Sequence, residues 1–310
     1  MRRAAALVLI VVGAAAASCS SEKKPEAIDA GTAEVPSAPI APPPPESVEV
    51  PEAPPPPKTA SLCPEGMLHV GSFCIDRWEA QLVDRETGTP LSPYYPPMRK
   101  LALKLHDEWE RERFTIGGPR AQAMPVPPLP AWEATHDADP MAVSRPGVVP
   151  NGYVSGVLAE RACKNAGKRL CRYDEWLTTC RGDKHRDYPY GDKYVPGLCN
   201  IFRSHHPAAV LHDDASMGHL DPRLNLVSEG PDPLLRKTGA TETCKSEWGD
   251  DAAWDMNGNL DEWIEDEKGR FVGGFFSRAK KDGCLSSVSA HPKNYFDYST
   301  GVRCCADAPM

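Results

Sequence analysis

Hydrophobic and polar positions divide the chain into three materials. Ala4 to Ala17 is an uncharged run of 14 residues with Leu, Val and Ile at its centre, preceded by Arg2-Arg3 and closed by the small residues Ala16-Ala17-Ser18. That order predicts an export signal over residues 1–18, and the run is too short for a membrane span, which needs about 20 apolar residues. From 19 to 60 the apolar pattern disappears, and runs such as Pro42-Pro43-Pro44-Pro45 and Pro54-Pro55-Pro56-Pro57 predict a disordered, polyproline-like tether without a core. The pattern returns over 61–310, read as one folded domain. Residues 61–80 read as a hairpin, with Met67-Leu68-His69-Val70 and Phe73-Cys74-Ile75-Asp76 around a Gly71-Ser72 turn. Leu101, Leu105 and Trp109 at four-residue steps predict a helix over 97–113. Val157, Leu158, Ala159 and Ala162 predict another over 155–166, ending at Gly167, and a third follows over 173–179 with Asp174 and Glu175 at its positive end. The Pro-rich stretch 117–150 lacks periodicity and reads as a long surface loop. Beyond Gly182 only short apolar pieces appear, around Trp254, Trp263 and Phe271 to Phe276.

Composition sharpens this division. Of 33 prolines, 12 lie between Ser20 and Ala60, so the tether holds a large share of a total about twice the usual. A net charge of −8 without clustered Lys and Arg excludes nucleic acid as the default partner. Small residues ahead of Cys19 resemble the bacterial lipobox, although Ala16 stands where leucine is usual, and imply lipidation at Cys19. Ser20, which is not acidic, leans the anchor toward the outer membrane, facing the periplasm or the cell surface. Setting Cys19 aside, ten of the 11 cysteines remain, an even set that reads as a disulfide framework in an exported chain. No pair has Cys-x-x-Cys spacing, so a zinc cluster is the weaker reading. A Cys63–Cys74 bridge would close the first hairpin. Little regular structure over the last 130 residues needs such cross-links for stability, about 2–4 kcal/mol each.

Phe73-Cys74-Ile75-Asp76-Arg77-Trp78-Glu79, Gly167-Lys168-Arg169-Leu170, Asp174-Glu175-Trp176 and Cys180-Arg181-Gly182 resemble successive motifs of the formylglycine-generating enzyme (sulfatase-modifying factor) superfamily. So do Tyr188-Pro189-Tyr190-Gly191-Asp192, the run Asp255 to Trp263, Val272-Gly273-Gly274 and Gly301-Val302-Arg303-Cys304, all in the family's order. The resemblance implies an α+β, C-type-lectin-like, loop-rich and disulfide-stapled domain. It also implies the bridges Cys163–Cys304 and Cys180–Cys284. With those two placed, the adjacency of Cys304 and Cys305 on a strand directs Cys305 to Cys171, and Cys199–Cys244 remains.

The family's enzymes oxidise a substrate cysteine with copper held by two thiolates a few residues after a Gly-Gly-Ser motif; copper(I) needs soft sulfur. Here 273–283 contains no cysteine, and Cys284 aligns with a structural bridge, so copper is not expected. The resemblance places calcium at Asp255, Gly258, Leu260 and Glu262, whose oxygens suit a hard ion, and a second calcium at Asn200 and Ile201, with Asp213, Asp214 or neither as acidic partner. His205, His206, His212 and His219 share one stretch without a ligand motif and read as solvated loop histidines. Core packing is the expected role of Trp248, Trp254 and Trp263, with a sugar or peptide platform as the alternative. Together these readings describe an exported lipoprotein carrying a non-catalytic module that binds a peptide, protein or envelope polymer through the loops 117–150 and 203–235. The alternative is a metal-dependent oxidase of the same superfamily with an altered site.

Overall fold

The computed structural model describes residues 62–203 and 205–309; the expected signal, the lipidated Cys19 and the Pro-rich tether lie outside the described residues. Among the described residues, no helix is long and apolar enough to cross a membrane.

The chain opens with the expected hairpin, β1 (Met67–Val70) and β2 (Phe73–Asp76), then β3 (Ala80–Asp84) and helix α1 (Arg99–Glu112). Short helices α2 (Pro119–Ala123) and α3 (Ala131–Thr135) precede β4 (Pro140–Ser144), α4 (Gly156–Asn165), β5 (Arg169–Leu170), α5 (Tyr173–Arg181) and α6 (Pro207–His212). Two 3-10 turns, Leu224–Leu226 and Gly283–Leu285, accompany the remaining strands: β6 (Ser228–Glu229), β7 (Asp232–Pro233), β8 (Lys245–Trp248), β9 (Asp251–Trp254), β10 (Asp261–Trp263), β11 (Phe271–Val272), β12 (Ser287–Val288), β13 (Thr300–Val302) and β14 (Cys304–Asp307). One four-stranded sheet runs β1-β2-β14-β5 and another β12-β11-β10-β13, in which β10 and β13 are parallel. The architecture is α+β, loop-rich and stapled by five disulfides, as the C-type-lectin-like expectation requires.

Local chemistry explains the helices. Ser155 caps α4 by accepting the Leu158 N–H at 3.2 Å, and Gly167, at φ +69, lets the chain turn away after its last turn. The buried side of α4 is small, Gly156, Ala159, Ala162 and Cys163, whereas Val157 points to solvent. A Cβ at 156 would lie 2.9 Å from the Trp263 ring, so glycine is what lets the helix approach it. Glu175 caps α5, accepting the Arg172 N–H at 2.8 Å. On α1, Leu105 and Trp109 are buried with Ala102, while Leu101 is only partly covered.

The stretch 117–150 is not the surface loop its composition predicts. β4 pairs with β3 from Ala80↔Ser144 to Asp84↔Pro140, and Ala121, Val126, Glu133 and Ala142 are buried. The other long loop also turns inward: Ala208, Leu211, Leu224, Val227, Leu234 and Leu235 share a core with Ala121, Tyr153, Phe276 and Tyr298. Arg223, fully buried against Asp221, donates to the Ala121 carbonyl at 2.8 Å and ties the two segments together. Both segments are therefore partly structural, and a recognition role for them is confined to what remains outside.

Glu133 gives this region a pH response. Burial pushes its carboxyl up to about 7, while the Ser92 N–H donating to Oε1 at 2.7 Å pulls the other way. Because the folded value exceeds the unfolded one, this group's contribution to stability is complete below about pH 4.5 and is lost as pH rises toward 7. Glu133→Gln keeps the acceptor and removes the charge. It is expected to flatten that decline and to stabilise the domain at pH 8 by about 1 kcal/mol, read from urea melts at pH 4.5 and pH 8. An unchanged pH profile would show that Glu133 is not buried as a charge.

Candidate functional site

Where β10 enters the second sheet, four ionisable residues meet in the interior: Glu79, Asp255, Glu262 and Arg303 are all buried. Glu262 lies on β10, and Arg303 occupies the link between β13 and β14. Arg303 Nε donates to both Glu262 oxygens at 3.0 and 2.9 Å, and Nη2 donates to Oε1 at 2.7 Å. The remaining donors reach the Asp76 and Trp254 carbonyls, each at 2.8 Å. Trp176 from α5 donates its indole N–H to Glu262 Oε2 at 2.6 Å. Asp255, at φ +59, accepts the Gly239 N–H at 2.7 Å through Oδ2. Glu79 accepts from the Leu260 N–H at 2.9 Å and from the Asn259 amide. Burial, reinforced by the charges of Asp255 and Glu262 and opposed by Arg303, holds Glu79 well above the usual carboxylate range. Burial takes Asp255 up to about 7.

The structure thus brings Asp255 and Glu262 into one cluster but turns Glu262 toward an internal cation. With its oxygens committed to Arg303 and Trp176, the set Asp255, Gly258, Leu260 and Glu262 does not fit calcium in this arrangement. Among the described residues, no three His, Cys, Asp or Glu side chains converge as a metal group. At the second expected position, Asn200 donates to the Leu234 carbonyl and to Asn259, and its Oδ1 accepts from Arg203 Nε at 3.2 Å. Neighbouring Ile201 is buried in a small core beside Cys199 and Cys244. Asp213 ends α6 in a left-handed conformation, and Asp214 accepts from Ser216. Millimolar calcium, or its removal by EGTA, is expected to leave the melting temperature unchanged. A calcium-dependent rise of several degrees would show that Glu262 leaves Arg303 for the ion.

Sequence reasoning quoted Glu79, Trp176 and Arg303 within motifs but assigned none of them to the site. For Glu79 and Arg303 the available signal was a charge immediately beside a strand, and for Trp176 an indole on a short amphipathic helix.

The histidines have separate partners. His206 faces the Tyr298 hydroxyl at 3.0 Å, His219 faces the Ala215 carbonyl at 3.0 Å, and His212 packs edge-on against Trp109 with Asp221 at 3.2 Å. The expectation of solvated histidines fails for His212, which is buried at 3% side-chain exposure because Trp109 and Asp221 close over it.

After Gly273-Gly274, the segment where the resemblance places copper thiolates carries a guanidinium. Arg278 pairs with the buried Asp261 and lies 5.0 Å over the Phe275 ring. Burial raises the Asp261 carboxyl to about 7, opposed chiefly by Arg278. Cys284 is bonded to Cys180, and the other bridges are Cys63–Cys74, Cys163–Cys304, Cys171–Cys305 and Cys199–Cys244. All ten cysteines of the described residues are therefore oxidised in pairs.

Three tryptophans donate their N–H to interior acceptors: Trp176 as above, Trp248 to the Thr179 carbonyl at 3.2 Å and Trp263 to the Val154 carbonyl at 2.7 Å. Trp263 is core, as expected, and Trp248 is partly buried against the core. Trp254 is instead half-buried and stacks on Trp78 with ring centroids 5.4 Å apart and planes at 18°.

Comparison with solved structures gives similarity at low identity. The Major Tropism Determinant U1 variant is 14% identical with a TM-score of 0.39, covering 80% of this chain and 54% of that one. The present chain thus spans about half the length of that protein. CarF is 14% identical with a TM-score of 0.34, covering 78% of this chain and 88% of that one. PvdO from Pseudomonas aeruginosa is 17% identical with a TM-score of 0.34, covering 76% and 80%. No curated protein matches. The family model of the Sulfatase-modifying factor enzyme 1-like domain matches residues 131–305, more than half of the chain and the region that contains β10, Glu262, Arg303 and four of the five bridges. The chain belongs to the sulfatase-modifying factor enzyme 1-like domain family.

Proposed function

We propose that this chain is an exported bacterial lipoprotein, anchored through Cys19 at the cell envelope, whose family domain is a non-catalytic binding module for a peptide, protein or envelope polymer. One observation carries the reading: Cys284, the thiol nearest the segment after Gly273-Gly274, is bonded to Cys180. A copper(I) site of the kind used by the family's enzymes needs a pair of thiolates, and a disulfide sulfur has no charge to offer. Arg278, in the same segment and paired with Asp261 on β10, supplies a guanidinium where the resemblance places soft ligands for a positively charged metal.

The test is a thiol and copper measurement on the mature protein. Denatured without reductant, the domain is expected to show no titratable thiol. The native protein is expected neither to bind copper(I) tightly nor to oxidise a cysteine-containing peptide. A free thiol at Cys284, together with copper-dependent turnover, would overturn the proposal in favour of an oxidase.

A further inference from the structure

On the outer side of the buried cluster, the residues next to Glu79 and Asp255 face the opposite way. The Arg77 carbonyl accepts the Trp254 N–H at 2.8 Å, which joins the chain before β3 to β9 and sets Trp78 and Trp254 face to face. The two indoles line a groove of about 380 Å³ whose other walls are Pro146, Gly147 and the run Lys237 to Ala240. Unlike Trp176, Trp248 and Trp263, neither Trp78 nor Trp254 donates its indole N–H to a protein acceptor among the described residues. Gly239 keeps the groove open: a Cβ there would lie 3.2 Å from Trp78 Nε1, and its φ is +73.

The charge beside this stack is positive, although the chain as a whole carries −8. Lys237 lines the groove and is exposed. Lys245, also exposed, is directly opposite Trp254 across the β8–β9 ladder, so both side chains stand on one face of the hairpin. Neither lysine forms an ion pair among the described residues.

We propose that the Trp78–Trp254 stack, with Lys237 and Lys245, is a docking platform for an acidic glycan. The proposal rests on the binding-module reading and names its ligand class. The indole surface that the stack leaves uncovered offers apolar area to the C–H face of a pyranose ring while the N–H edges seek hydroxyl oxygens. The ammonium groups answer a uronate or phosphate on the same polymer. A peptide strand fits less well, because the backbone donors along the groove are already engaged. The Gly147 N–H goes to the Thr238 carbonyl, the Thr238 N–H to the Val148 carbonyl and the Gly239 N–H to Asp255. No row of free N–H groups remains there for strand addition.

Calorimetric titration of the full chain with hexagalacturonate, cellohexaose and hexaglutamate tests this. Hexagalacturonate is expected to bind, and cellohexaose to bind roughly tenfold or more weakly. Hexaglutamate is expected to show no heat. The surface variant Lys237→Glu/Lys245→Glu is expected to weaken hexagalacturonate binding by roughly tenfold or more, and Trp254→Leu to abolish it, with melting curves confirming that each variant is folded. The proposal is overturned if hexagalacturonate does not bind. It is equally overturned if the lysine variant binds as tightly as the parent, or if hexaglutamate matches the glycan. If Trp254→Leu unfolds, the lysine variant and the three-ligand comparison still decide. None of these outcomes changes the thiol and copper results, so the two readings fail separately.

Discussion

Replacing Arg303 by methionine is expected to destabilise the domain by about 3–5 kcal/mol, the range for removing one partner of a buried ion pair. Arg303 and Glu262 are each at most 1% exposed, and the guanidinium also satisfies the Asp76 and Trp254 carbonyls. Methionine fills much of the same volume, so the loss reports charge and hydrogen bonding rather than a cavity. Glu262 would be left charged in the interior beside Asp255, with only Trp176 donating to it. Adding Glu262→Gln to that variant removes the orphaned charge while keeping an acceptor for Trp176, and should recover at least about 1 kcal/mol. Urea unfolding of the two single variants and the double variant closes the cycle. A loss below about 1 kcal/mol for Arg303→Met would show that the pair is solvated, and would reopen Glu262 as a ligand for an external cation.

Replacing Cys163 and Cys304 together by alanine is expected to cost about 4 kcal/mol, and replacing Cys63 and Cys74 less, about 2–3 kcal/mol. The sequence separations are 141 and 11 residues, and in the chain-entropy account the longer loop restricts the unfolded chain more. Position acts in the same direction. Cys163 on α4 and Cys304 on β14 lie in the large core that also holds Trp263 and Val302, so the alanine pair also loses packing there. Against a typical total of about 5–15 kcal/mol, the first loss removes between about a quarter and four fifths of the stability. Denaturant midpoints for the two double variants check the order; the reverse order would mean that native-state strain or unfolded-state structure outweighs loop length.

Where one segment carried its own instructions, the sequence was readable. The β1–β2 hairpin follows from alternation about a Gly-Ser turn, and α4 from Ser155, its apolar spacing and Gly167. The motifs from Phe73 to Cys304 led to the family and, through it, to two of the five bridges, Cys163–Cys304 and Cys180–Cys284. Other features were hidden because their determinants lie far apart in the chain. Segments 117–150 and 203–235 look like polar, Pro-rich connectors, yet each buries its few apolar residues against the other and against Tyr153 and Tyr298. Neither segment has a period that reveals this, because the covering surface comes from elsewhere.

The candidate site divides along the same line. Residue types determined that the run Asp255 to Glu262 would concentrate oxygen atoms and that no thiol pair follows Gly273-Gly274. Only the tertiary structure decided that Glu262 would face Arg303, 41 residues later in the chain, and that Trp254 would stack on Trp78 while Trp263 went into the core. A carboxylate announces that it needs a counter-charge but not which one it will meet, and an indole announces apolar area but not which side will be covered. The partners are set by how strands distant in sequence come together, a many-body outcome that no local pattern encodes.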